Sequence, residues 1–358
     1  MTTTSYLSRT INRRAIVIGG SAAAALAPLA RFGLAGAQSD MVVTGVTDTA
    51  GLGDQSFNDM ANKGGNDAAA EYGVAWNVLE SQNAADYIPN LTRAAESSDL
   101  TVAVGFLLTD AVAEVAAQYA DKLFMIIDSV VEADNVASVL FKEQEGAFLA
   151  GVCAGLMAGE EKKVGFVGGI RIPPVMRYEV GYVAGVMSVA PDVEVLISYA
   201  DDFENPTLGK ELSLAQYDQG ANIVHAAAGR TGIGAFDAAK EKGEGYYVIA
   251  ADADQSHLGP EYQLCAVSKR IDEAVVRVVG QVVDDSFAGG VQNLGIADDG
   301  VGLIGYNEVV PQEVKDTVQA YADAIASGEI VPPVDDDTLA AFEPVTLGGA
   351  SPEASPAS

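Results

Sequence analysis

The sequence predicts an α/β protein built as two doubly wound lobes. Three observations predict this. Short apolar runs alternate with longer amphipathic ones from about residue 41 to about 330, the pattern of βα units around parallel sheets. Ten or more such runs imply two sheets side by side. The roughly 320 residues that follow the N-terminal segment also exceed the ~250–300 at which a single hydrophobic core stops growing.

Residues 1–37 read as an export signal. They carry Arg9, Arg13, Arg14 and Arg31 and no acid, and an uncharged apolar run from Ala15 to Ala30 follows the Arg13-Arg14 pair. That run is shorter than the ~20 residues of a membrane span, and Ala35-Gly36-Ala37 offers a small-residue cleavage site. The paired arginines favour the twin-arginine route, with a general secretory signal as the alternative. No cysteine lies near the cut, so no lipobox is visible. The expected location is the periplasm or the outer face of the cytoplasmic membrane.

The first strand is Met41–Val46, and the strand candidates that follow are Val74–Leu79, Thr101–Phe106, Leu123–Ile127, Val136–Leu140, Lys163–Val167, Val193–Tyr199, Asn222–Ala226, Tyr246–Ala251, Gln263–Val267 and Val301–Ile304. Each is a short apolar run of strand length. Between them, helical periodicity places helices at about 56–72, 85–97, 110–121, 144–159, 174–190, 207–219, 233–242, 270–288 and 310–327. Ala147–Ala158 is uncharged and bears Gly151, Gly155 and Gly159 at four-residue spacing. It is too short to span a bilayer, so a buried helix pressed on a sheet is expected. The segment 348–358, rich in Ala, Ser and Pro, is expected to be disordered.

Charge excludes some partners. Without the four N-terminal arginines, 16 basic residues face 50 acidic ones, a net charge of about −34. Such a surface repels nucleic acid and acidic membranes. Cys153 and Cys265 form no metal-ligand spacing and no catalytic pattern with His225 or His257, and two buried thiols are expected.

The candidate site is centred on Thr47–Asn58, the loop that leaves the first strand. It holds Asp48, Thr49, two glycines, Phe57 and Asn58 where open α/β sheets keep their ligands. Asp110, Asp252, Asp254 and Lys269 likewise lie just beyond strands, so parallel packing would bring them to one crevice. For any single Asp a helix N-cap is the favoured reading; the set favours a shared polar site. Gly168-Gly169 and Gly229-Arg230-Thr231-Gly232 follow strands without a Walker lysine or a dinucleotide fingerprint. They let backbone approach a ligand or simply allow the turn. Phe57 and Phe203 either plug local cores or sandwich a flat ring between the lobes.

Several of these stretches together resemble the basic membrane protein family, the purine-nucleoside-receptor type of ABC-transporter solute-binding protein. They are Asp48–Asn58, Ala85–Thr92, Val104–Ala111 with Phe106, Glu145–Gly151, Gly165–Gly169, Tyr217–Ala221, Asp252–Gln255 and Ser268–Asp272. The resemblance implies a type I periplasmic-binding fold with three hinge crossings. Lobe 1 would take 41–142 plus about 252–290, and lobe 2 about 143–251 plus about 291–345. It further implies a monomeric receptor that binds a nucleoside for ABC permease subunits, with no cofactor, no metal and no catalysis. Phe57 and Phe203 would stack on the base, Asp48, Asn58 and Asp110 would line the first wall, and Asp252 and Lys269 would hold the ribose. Gly229 would let backbone approach, with Thr49 and Phe106 nearby. Arg230 stands where the family usually has a second glycine; it fills the pocket, donates to the base or points to solvent. A ligand-sensing partner of a signalling protein and a nucleoside hydrolase are the competing readings.

Overall fold

The computed structural model describes residues 40–347, so the predicted export segment 1–37 and the tail 348–358 lie outside the described residues. The chain first builds β1 (Val42–Val46), α1 (Phe57–Tyr72), β2 (Ala75–Leu79), α2 (Tyr87–Ser97), β3 (Leu100–Ala103), α3 (Thr109–Gln118), β4 (Leu123–Ile127) and β5 (Val136–Phe141). It then forms α4 (Glu143–Leu156), β6 (Lys163–Gly168), α5 (Pro173–Val189), β7 (Glu194–Tyr199), α6 (Pro206–Asp218), β8 (Ala221–Ala227), α7 (Ile233–Lys242), β9 (Tyr247–Asp252) and β10 (Gln263–Lys269). It ends with α8 (Ile271–Val283), β11 (Gly290–Leu294), β12 (Val301–Ile304), α9 (Gln312–Ala326) and α10 (Asp336–Ala340).

Two six-stranded sheets result, in the orders β11-β5-β4-β3-β1-β2 and β12-β10-β9-β8-β6-β7. All pairings are parallel except β10 with β12. Parallel strands covered by helices on both faces are apolar along their length, and β3 and β10 are buried at every position. Each predicted strand is present. The run predicted as Thr101–Phe106 stops at Ala103, and residues 106–108 form a 3-10 turn. β11 was not predicted: Gly-Val-Gln-Asn-Leu is mostly exposed at a sheet edge and lacks the apolar signature.

The expected lobe boundaries need correction. β10 pairs with β9 in the second sheet, whereas α8 packs into the first lobe's core through its own Val275 and Val278, and β11 pairs with β5. The chain therefore crosses between lobes at β5 to α4, at β10 to α8 and at β11 to β12. The reason is covalent: α8 follows β10 after a single residue, Arg270, so the crossing lies at the end of that strand rather than before it.

The glycines of α4 press mainly on a helix, not on a sheet. A Cβ on Gly151 would lie 2.1 Å from the Tyr182 carbonyl oxygen, and one on Gly185 of α5 would lie 2.0 Å from that of Phe148. Backbone approach this close tolerates no side chain. The two cysteines are free and buried, as expected. No described helix is long and apolar enough to cross a membrane. Gly151→Ala is expected to destabilise the protein by about 1–3 kcal/mol or more through overpacking against backbone; an unchanged melting temperature would refute this packing account.

Candidate functional site

The carboxyl ends of β1, β3 and β4 face those of β6, β8, β9 and β10 across one cleft. Phe57 stands on one wall and Phe203 on the other. Glycines seat both rings. Gly105, at φ +115°, lies under Phe57, and an added Cβ would meet its ring at 3.2 Å. A Cβ on Gly169 would sit 2.3 Å from the Phe203 ring. The second lobe's glycine pair thus makes room for an aromatic platform.

Behind Phe57 lies a buried polar network. Asp54 accepts from the backbone N–H groups of Ser56, Asn58 and Asp59 at 3.0, 2.7 and 3.1 Å, so it caps the first turn of α1 that Ser56 leaves uncapped. Asp48 Oδ1 accepts from Ala50 N at 3.0 Å and from Asn58 Nδ2 at 2.8 Å. Asn58 also donates to Asp54 Oδ2 at 3.1 Å. Donation to two carboxylates fixes the amide's orientation, and it leaves Asn58 Oδ1 a buried acceptor without a partner. Burial pushes the pKa of Asp48 and of Asp54 from 3.8 to about 6 against these hydrogen bonds.

On the hinge side, Asp252 accepts from Ser56 Oγ of the opposite lobe at 2.6 Å and from the Tyr178 hydroxyl at 2.8 Å. Lys269 Nζ donates to Asp128 Oδ2 at 2.5 Å and to Glu143 Oε1 at 2.8 Å, and it stands 5.1 Å from the centre of the Phe57 ring. Arg177 Nε donates to the other oxygen of Glu143 at 2.6 Å. Burial works against the Lys269 ammonium, yet the two carboxylates outweigh it and hold its pKa above the ordinary lysine value. Burial opposes the charge on Glu143 too, and there Lys269 and Arg177 prevail and lower the pKa. Asp128 shares only Lys269, so burial raises it. Asp128 Oδ1 is a second buried acceptor with no partner.

Asp48, Phe57, Asn58, Phe203, Gly229, Asp252, Lys269 and Phe106 are therefore brought to the cleft. Asp110 is not: it lies exposed in the first turn of α3, where a carboxylate suits the helix dipole. Asp254 is exposed and accepts from Ser256 N at 2.9 Å and from Gln263 Nε2 at 2.8 Å, so it braces its own turn. Thr49 and Arg230 line a neighbouring polar niche instead. Arg230 neither fills the pocket nor turns to solvent; its Nη2 donates to the Leu52 carbonyl of the other lobe at 2.6 Å. Sequence reasoning missed Asp128 and Tyr178, and it placed Asp54 in the Thr47–Asn58 loop without giving it a role. Asp128 follows β4 directly and was findable by the same strand-end rule. Tyr178 is interior to a helix and carried no signal.

Comparison with known proteins agrees with this geometry. The sequence profile of the Bmp family, described as "ABC transporter substrate-binding protein PnrA-like", matches residues 41–335. A CD4+ T-cell-stimulating antigen of Listeria monocytogenes is 35% identical over 316 residues, covering 82% of this chain and 88% of the relative. The ABC transporter nucleoside-binding protein BmpA of Lactococcus lactis is 32% identical over 352 residues, covering 90% and 99%. Among solved structures, an ABC transporter solute-binding protein of Aeropyrum pernix K1 superposes with TM-score 0.77 at 32% identity, covering 84% of this chain and 96% of that one.

The raised carboxyls set a pH dependence. Between about pH 4 and pH 6 these two groups bind protons that they have released in the unfolded chain, so they add stability as pH falls through that window, while buried His225, its pKa lowered from 6.5 to about 4, takes stability away over the same range. Asp48 alone accounts for about 3 kcal/mol at full effect. Between pH 7 and pH 4 the melting temperature of Asp48→Asn should fall further, or rise less, than that of the parent; parallel curves for variant and parent would contradict the assignment.

Proposed function

The chain belongs to the PnrA-like Bmp family of ABC transporter substrate-binding proteins, and from that premise we propose that it is an exported monomer that captures a nucleoside, purine favoured, and delivers it to a membrane permease. Members of this family bind a solute rather than transform it, and the chain is not an enzyme. One observation carries the ligand class: two aromatic rings on opposite walls meet, in one cleft, a buried polar floor with unused hydrogen-bonding capacity.

A nucleoside presents a flat base and a hydroxyl-rich sugar. The base fits between Phe57 and Phe203, whose rings make no contact with one another among the described residues. Asn58 Oδ1 and Asp128 Oδ1 are acceptors waiting for donors, and leaving such groups unpaired costs about 1–3 kcal/mol each. Asp252 accepts from vicinal hydroxyls. Lys269 commits two of its three N–H donors to carboxylates, and the third serves a ribose oxygen. The name of the Lactococcus relative supports the same reading.

The charge balance selects against phosphate. Asp48, Asp54, Asp128 and Asp252 line the cleft with Lys269 as its single cation, and that cation is already shared by two carboxylates. Nucleosides should therefore bind and nucleotides should not.

A thermal-shift series on the mature protein tests this. Guanosine, inosine or adenosine should raise the melting temperature, whereas their 5′-monophosphates, free sugars and amino acids should not. Stabilisation by sugars or amino acids alone would sink the nucleoside reading. In the same assay Phe57→Ala should weaken affinity roughly ten- to hundredfold, from about 1–3 kcal/mol per stacked base, and Asp252→Asn should erase the preference for ribo- over 2′-deoxyribonucleosides.

A further inference from the structure

Arg230 makes a contact the ligand does not require. It sits in the turn Gly229–Gly232 beyond β8, in the second lobe, and donates across the cleft to the Leu52 carbonyl at 2.6 Å. The accepting peptide is held from behind, because its own N–H, that of Gly53, donates to Asp59 Oδ1 at 2.8 Å. A carbonyl backed by a carboxylate and met by a guanidinium makes a charge-assisted hydrogen bond, stronger than a neutral one. Glu80 and Glu204 line the same niche, and Arg230 Nε is buried there without a hydrogen-bond partner.

The turn that carries Arg230 is fastened to the aromatic platform. Thr231 N donates to the Phe203 carbonyl at 3.1 Å, Thr231 Oγ1 donates to that of Asp202 at 3.0 Å, and Asn205 N donates to Thr231 Oγ1 at 2.9 Å. A pull on Arg230 is therefore a pull on the backbone that holds the Phe203 ring. We propose that Arg230 is a closure latch, a positioning residue that locks the Leu52–Gly53 loop of one lobe to the Phe203 loop of the other and so sets how long a ligand stays, without touching it.

The latch rests on the closing-receptor reading but not on which solute is bound. In stopped-flow measurements with guanosine, inosine and adenosine, Arg230→Ala should speed dissociation roughly ten- to hundredfold, the loss of one hydrogen bond to a charged group, by the same factor for each nucleoside. Association and the ligand-free melting temperature should change little, and Arg230→Lys should recover part of the effect. Unchanged dissociation overturns the proposal. A factor that differs among nucleosides overturns it in favour of direct base contact, and an equal loss of ligand-free stability overturns it in favour of a structural role. Spin labels on the exposed residues Glu114 and Asp237, one per lobe, give a readout without ligand: Arg230→Ala should shift the distances toward open forms. If no nucleoside binds, the proposed ligand falls while these distances still decide the latch; identical distributions in variant and parent would overturn it.

Discussion

The cleft depends on one buried ammonium. Lys269 ends β10 at the point where the chain leaves the second lobe, and its two carboxylate partners come from opposite sides of the hinge. Asp128 follows β4 in the first lobe, and Glu143 begins α4 just past the first crossing. Asp128, Glu143, Lys269 and Arg177 sum to zero charge when all are ionised, and this balance offsets enough of the cost of burial to favour the charged forms of Glu143 and Lys269, while burial still raises the pKa of Asp128. Such a cluster adds little net stability over well-packed apolar side chains, but removal of one member strands the others at a cost of about 3–5 kcal/mol. Its contribution is definition: it sets where the crossings sit and aims Lys269 at the cleft.

The two walls repeat a single structural recipe. Both sheets have the same strand order once β11 and β12 are matched. Asp128 after β4 and Asp252 at the end of β9 share the left-handed backbone, at φ +67° and +68°. Gly105 and Gly229 occupy corresponding turns after β3 and β8, also at positive φ. Left-handed backbone is costly for residues other than Gly, Asn and Asp, and here it turns a carboxylate out of each sheet toward the centre. A cleft with acids at its floor and aromatics on its walls follows from two half-sites meeting.

This explains what the sequence made legible. Strands buried on both faces write themselves as apolar runs, so the sheets were readable, and the strand-end rule located Asp48, Asp252 and Lys269. The same rule misplaced Asp110, because past β3 the chain turns through residues 106–108 before α3 starts, and that turn carries the side chain away from the cleft. β11 has no apolar face to announce it. The rigid contact of α4 with α5 left its trace as glycine spacing, but spacing does not name the partner. Tyr178 and the pairing of Lys269 depend on which elements meet in space, which no local pattern encodes.

Closure must be nearly balanced for a receptor to report its ligand. Among the described residues, hydrogen bonds that span the cleft include those of Ser56 to Asp252 and Ala251, Arg230 to Leu52 and His257 with Gln55. Bonds of this kind contribute about 1 kcal/mol each, net of the water they displace. Against them, Glu204 adds a small like-charge contribution to a rise in the Asp48 pKa that burial dominates. The attraction between the lobes is a few kcal/mol at most, so neither the closed form nor the open one is fixed by these bonds alone. A ligand that stacks on both rings and fills the unpaired acceptors then supplies enough differential affinity to decide between them, since a shift from mostly open to mostly closed needs only about 5.5 kcal/mol.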